Sequence, residues 1–208
     1  MSRGLCYLKN FIILLNINFP PMPHIDLPKE YPGIRSLFMY SPDTARPLND
    51  LVQTLLHDPA TSTLTPGERE LIATYTSSLN HCKYCASTHG AIAKYQLDGN
   101  ADIVKAVIND PATAAISDKM KSLLHIAAKV QQDGKKVTPD DITSARQKGA
   151  TDKEIHDTVL IAAAFCMYNR YVDGLATWAP EDPAVYDAIG KQRASEGYLT
   201  RPFKVSQS

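Results

Sequence analysis

Cysteine is scarce in this chain: four residues, at 6, 82, 85 and 166, out of 208. That is too few for the dense cross-linking that holds small secreted domains together, and a chain of this length can bury a core without it. Net charge is missing as well. Lys and Arg number 22, and so do Asp and Glu. No field of one sign is then available to gather nucleic acid or an anionic membrane surface, and neither is expected as a partner. No apolar run near the start reaches the roughly 20 residues that a membrane helix needs. The run from Phe11 to Ile17 is interrupted at Asn16 and has no small-residue cleavage site behind it, so it imitates an export signal poorly. Residues 1–21 are expected to be a disordered extension, or to lie before a functional start at Met22. Without an export signal, reduced thiols fit the cytoplasm. The glycine-rich signatures of nicotinamide or flavin binding are absent, and Ala86 after Cys85 excludes a haem attachment motif, so no cofactor is expected.

The punctuation that is present is helical. Alternation of apolar and polar residues, the mark of strands, is not found, whereas caps and stops recur from Thr44 onward. Helices are expected at about 44–57, then from the Thr65-Pro66 start, where Glu68 can close a capping box, to Asn80. The next spans about 82–97 and stops at Gly99, and a short one spans 101–109. The second half repeats this grammar: Ser117 to Gly134, Thr138 to Gly149, and a long helix capped by Thr151 and Glu154 that continues through TVLIAAAFCMYNRYVDGL, its apolar run suggesting cover on most sides. A last short helix is expected at 181–190. The proline-rich residues 20–43 read as an extended arm, and 191–208 as a loose or subunit-clasping tail, leaving one all-helical domain at 22–190.

The densest chemistry lies in HCKYCASTHG, residues 81–90. On a helix the Cα atoms of Cys82 and Cys85 stand about 5 Å apart, and both sulfurs share an arc of about 60° with the imidazole of His89. A free thiol is mostly protonated at neutral pH, and a helix N-terminus contributes less than one pKa unit, so a reactive cysteine here needs a base. His89, four residues after Cys85, can be that base. Glu70, on the preceding helix, can orient the histidine if the two helices form an antiparallel hairpin. Plainer readings stand beside this one. His81, Cys82, Cys85 and His89 could be zinc ligands, although they crowd one helix and no second knuckle exists. Glu70 could be one more solvated carboxylate in Glu68-Arg69-Glu70. A thioredoxin-like site is excluded because a helix, not a strand, leads into the cysteines. Cys166 reads as a small core residue, His125 as a packed or interface histidine, and Tyr168, Asn169 and Arg170 as pocket, interface or the polar end of a buried helix.

Glu70, eleven intervening residues and Cys82-Lys83-Tyr84-Cys85-Ala86-Ser87-Thr88-His89 carry a likeness. Together with LTPGERELIATYTSSLN before them and KGATDKEIHDTVLIAAAFCMYNRYVDGL after, they resemble the AhpD-like alkylhydroperoxidase family, in the peroxidase-related branch of the carboxymuconolactone decarboxylase superfamily. The resemblance covers about residues 22–190. It implies an all-α fold, an AhpD-like helical bundle whose hairpin carries the Glu and the CxxCxxxH motif, and a homo-oligomer, a trimer or hexamer. It further implies that Cys85 attacks a hydroperoxide, that Cys82 resolves the product into a disulfide, and that Glu70 and His89 relay protons. The best-known members have histidine directly before the second cysteine; this chain has Tyr84, which can still support the site as a hydrogen-bond donor. The expected activity is a thiol-dependent peroxidase whose electrons come from a small dithiol or a redox protein. Two alternatives stay open: a non-catalytic zinc-binding or assembly module, and a non-redox decarboxylase or isomerase.

Overall fold

The computed structural model describes residues 22–199; the expectations for 1–21 and for 200–208 fall outside them. Among the described residues there are nine α-helices and no strand. In order they are α1 (Ile34–Tyr40), α2 (Pro42–Val52), α3 (Pro66–Leu79), α4 (Lys83–Gln96), α5 (Ala101–Asn109), α6 (Asp118–Gln132), α7 (Pro139–Gln147), α8 (Asp152–Gly174) and α9 (Pro183–Glu196), with a π-helical turn at Gln53–His57 directly after α2. None of the described helices is long and apolar enough to cross a membrane.

Local chemistry sets the starts of these helices. Thr65, Thr138 and Thr151 each accept the backbone N–H three residues on, while Glu68, Asp141 and Glu154 reach back to the capping residue's own N–H. Each box satisfies two donors that a helix start would otherwise leave bare. The centre is α3, which packs on α4, α6 and α8 and buries Leu71 and Ile72 against Ile92, Leu123, Ile161 and Phe165. The long α8 is covered on most sides, but Leu160 and Met167 leave an apolar strip open along it.

The turn between α3 and α4 aims the cysteine helix. His81 N donates to Ser78 O and Cys82 N to Ser77 O, at 3.0 and 3.1 Å, the bonds of a Schellman closure with His81 in the left-handed conformation at φ 58°. Cys82 is thereby both the end of one helix's closure and the residue preceding the next helix. Since glycine carries no penalty at positive φ, His81→Gly is expected to raise stability by roughly 0.5–1 kcal/mol. Urea unfolding checks this, and a loss of stability would contradict the assignment of the turn.

Three expectations are corrected at the edges. The arm at 20–43 is not extended throughout: Ile34–Tyr40 is a helix that buries Leu37 and Phe38. It starts after Gly33, whose φ is 54° and where an added Cβ would lie 2.2 Å from the Tyr84 ring. The expected first helix, 44–57, begins at Pro42 and changes to the π-helical turn over its last five residues. The last helix does not stop near Gly190 but continues to Glu196, so the tail expected from 191 is helix for its first six residues. Gly190 is there for close approach rather than for stopping: a Cβ on it would lie 2.6 Å from the backbone of Ala91 on α4. Helix α9 ends instead at Gly197, φ 70°. Gly190→Val is expected to force α4 and α9 apart and cost about 2–3 kcal/mol; thermal unfolding measures it, and a variant as stable as the parent would refute the close packing.

Candidate active site

Helix α3 presents Glu70, and α4 presents Cys85 in its first turn with His89 one turn later. Glu70 is fully buried, and a buried carboxylate requires donors. It has two. His89 Nδ1 lies 2.8 Å from Oε2, and the Tyr198 hydroxyl donates to Oε1 in a short hydrogen bond. Burial, and then the charge of Glu70, push the Tyr198 hydroxyl well above the ordinary phenol range, so it keeps its proton and remains a donor. The carboxylate therefore faces two N–H or O–H groups, which places the imidazole proton on Nδ1 and leaves Nε2 as a bare acceptor. The ring is fixed further by Phe165, edge-on at 4.6 Å between centroids, and by Tyr198, stacked at 6.0 Å.

Tyr198 reaches this position because the chain past α9 is strapped down. Arg193 Nη1 donates to Gly197 O at 3.0 Å, and Tyr198 N donates to Gln53 Oε1 at 2.7 Å. Gln53 lies in the π-helical turn, which is held in its own place by the buried Arg69: its Nη1 donates to Leu55 O and Asp58 O, at 3.2 and 3.0 Å. Sequence neighbours Arg69 and Glu70 thus act on the same site from two directions, one through the turn and one directly.

Both cysteines of the motif are free thiols, and both are buried. They are not equivalent. Cys82 precedes the first residue of α4, and its thiol is pushed up first by its hydrogen bond with Cys85 and then by burial, so Cys82 holds its proton. Cys85, in the first turn, lies where the helix dipole favours a negative sulfur. A cavity of about 50 Å³ opens onto Cys85 but not onto Cys82. His89, Thr88, Phe38, Phe165 and Tyr168 share its wall, and so does Tyr84, whose ring rests on Gly33 with Tyr186 tilted beside it at 6.4 Å. The space is enough for a water or a small hydroperoxide group.

Of the other residues singled out in the sequence, Tyr168 lines this cavity and donates to Leu48 O at 2.9 Å. Asn169 supports the turn before the cysteines, accepting from Asn80 Nδ2 at 2.8 Å and donating to Ser77 Oγ at 3.1 Å. Cys166 lies in the same polar cluster, 3.6 Å from Asn80 Nδ2, rather than in an apolar core. Arg170 donates to Cys166 O on an exposed face. His125 is not packed: its ring is largely exposed and meets Asp141 at 3.2 Å. Among the described residues no three His, Cys, Asp or Glu side chains converge so as to hold a metal ion, and His81 is on the exposed turn. Three residues that no sequence signal singled out, Tyr198, Arg35 and Arg193, also line the cavity. The only local hint is a tyrosine beside a glycine in a supposed tail.

The carboxymuconolactone decarboxylase family profile matches residues 42–129, which include Glu70, both cysteines and His89. Two solved structures have a similar fold. One is described as an alkylhydroperoxidase AhpD core, an uncharacterized peroxidase-related protein from Ralstonia eutropha JMP134; it is 26% identical, with 77% of this chain and 81% of that one covered and a TM-score of 0.68. The other is an uncharacterized peroxidase-related protein from Silicibacter sp. TM1040, 25% identical, with 75% and 78% covered and a TM-score of 0.67. No protein of curated function matches the chain.

Proposed function

The chain belongs to the AhpD-like family of the carboxymuconolactone decarboxylase superfamily, and from that premise we propose that it is a thiol-dependent peroxidase that reduces organic hydroperoxides through Cys85 and Cys82. The observation that carries the reading is the asymmetry of the pair: one thiol meets a cavity that His89 also lines, and the other, held protonated, does not.

His89 Nε2 takes the Cys85 proton, with Glu70 steadying the imidazolium through Nδ1–H. The thiolate attacks the peroxide oxygen, the O–O bond breaks, and the alcohol leaves with the proton returned by His89. Cys85 is then a sulfenic acid. The Cys82 sulfur displaces its hydroxyl as water and closes a disulfide, so that two thiols supply the two electrons the peroxide accepts. An external dithiol, small or carried by a redox protein, reopens the disulfide by exchange. This cycle suits a reducing compartment. Association into a homo-oligomer belongs to the same proposal, and the open strip of Leu160 and Met167 on α8 offers it an apolar surface.

One equivalent of cumene hydroperoxide added to the reduced protein is expected to consume two thiols and yield a peptide linking 82 to 85 by mass spectrometry. Intact thiols, or sulfinic acid at 85 with no linked peptide, would refute the cycle.

A further inference from the structure

A hydroperoxide brings one O–H that donates and two oxygens that accept, and the cavity above Cys85, at about 50 Å³, suits the –OOH head rather than a whole large molecule. Several polar groups on its wall are committed elsewhere or can only donate. Tyr168 and Tyr198 give their hydroxyl protons to Leu48 O and Glu70, and the guanidinium groups of Arg35 and Arg193 have no acceptor at all. The Thr88 hydroxyl can donate as well as accept. Asn49, from α2, is different. Its Nδ2 donates to Ala45 O at 2.9 Å, and since a carbonyl cannot donate, that bond fixes which way round the amide lies. The atom left over is Oδ1, which can only accept. It is buried and, among the described residues, has no hydrogen-bond partner. An acceptor buried in that condition costs free energy that a water or a ligand recovers on binding to it.

We infer that Asn49 Oδ1 accepts the O–H of the bound hydroperoxide and so turns its oxygen to Cys85, an assignment that rests on the peroxidase reading. The need for such an acceptor comes from the thiolate itself. An anionic sulfur is a strong acceptor and would draw the O–H hydrogen onto itself, an orientation in which no bond to oxygen can form. With the hydrogen held at Asn49 instead, sulfur meets the oxygen that carries it. The S–O bond then forms as the O–O bond breaks, and the hydrogen stays on the new sulfenic acid beside Asn49. The departing alkoxide takes the proton that His89 Nε2 received from Cys85.

Two rates in the reduced full-length protein separate orientation of the peroxide from reactivity of the thiol, each read as loss of the free Cys85 thiol by peptide mass spectrometry. One is the rate with ethyl hydroperoxide. The other is the rate with methyl methanethiosulfonate, which has no O–H or N–H for Asn49 to hold. Asn49→Leu, which removes the acceptor, is expected to lower the ratio of the first rate to the second by about tenfold or more, the scale of a buried hydrogen bond left unmade. Asn49→Asp keeps an oxygen in the same place and should hold the ratio within about threefold of the wild type. An unchanged ratio in Asn49→Leu, or an equal fall in Asn49→Asp, would overturn the inference and leave the peroxidase reading standing. Asn49→Ala is read by the same rule if the leucine variant does not fold. A wild type that reacts with methyl methanethiosulfonate but not with ethyl hydroperoxide would end both.

Discussion

Cys85→Ser is expected to reduce hydroperoxide turnover by about 10³-fold or more, the scale seen when a nucleophile is removed from its supporting groups. A serine hydroxyl in the same place cannot be ionised by an imidazole and is a poor nucleophile toward oxygen. Nor can Cys82 substitute for it, because that sulfur does not reach the cavity. Cys82→Ser should behave differently. Its Cys85 still meets peroxide and still reduces one equivalent, but the sulfenic acid has no partner thiol and the cycle halts there. Stopped-flow measurement of the first turnover separates the variants: a normal first turnover in Cys82→Ser and none in Cys85→Ser. Equal loss in both would mean that the pair acts as a unit without the division of labour drawn from the geometry.

Glu70→Gln is expected to slow the Cys85 reaction by about 10²-fold to 10⁴-fold, the range that general base catalysis supplies. The substitution is nearly isosteric, so the effect is a matter of protons. An amide can turn its NH₂ toward His89 Nδ1, which then accepts rather than donates; the imidazole proton moves to Nε2, and the cavity loses its base. Tyr198→Phe is milder. The Tyr198 hydroxyl donates to Glu70 Oε1 and helps to hold that side chain against His89. Without it the imidazole is oriented less firmly, and alkylation of reduced Cys85 by iodoacetamide at pH 7 should slow by about 3-fold to 10-fold, the worth of roughly one hydrogen bond. An unchanged rate would leave Tyr198 a packing residue only. Gln53→Ala, which removes the acceptor for Tyr198 N, should lower the rate in the same direction.

The parts of this site that could be read from the sequence are those set by local rules. Thr65 and Glu68 fix the start of α3, the break near Asn80 separates it from α4, and four residues of helix place His89 one turn beyond Cys85. From these, Glu70 opposite His89 follows as a consequence of an antiparallel hairpin, and the structure places the two in contact. What could not be read are contacts that depend on where distant elements are put. Tyr198 meets Glu70 across 128 residues and His89 across 109. Its approach depends on a π-helical turn and a buried Arg69 that no periodicity announces. Glycine misled for a related reason. Gly190 looks like a helix stop in sequence, and only the proximity of Ala91 shows that it is a packing position within a continuing helix.

The division of labour between the two thiols is the claim on which the peroxidase account turns, and trapping of the sulfenic acid measures it directly. Reduced Cys82→Ser and Cys85→Ser proteins are each treated with one equivalent of cumene hydroperoxide in the presence of dimedone, and the peptides are weighed. The account predicts a dimedone adduct at residue 85 in the first protein and none at residue 82 in the second; an adduct at Cys82 in Cys85→Ser, formed at the wild-type rate, would contradict it.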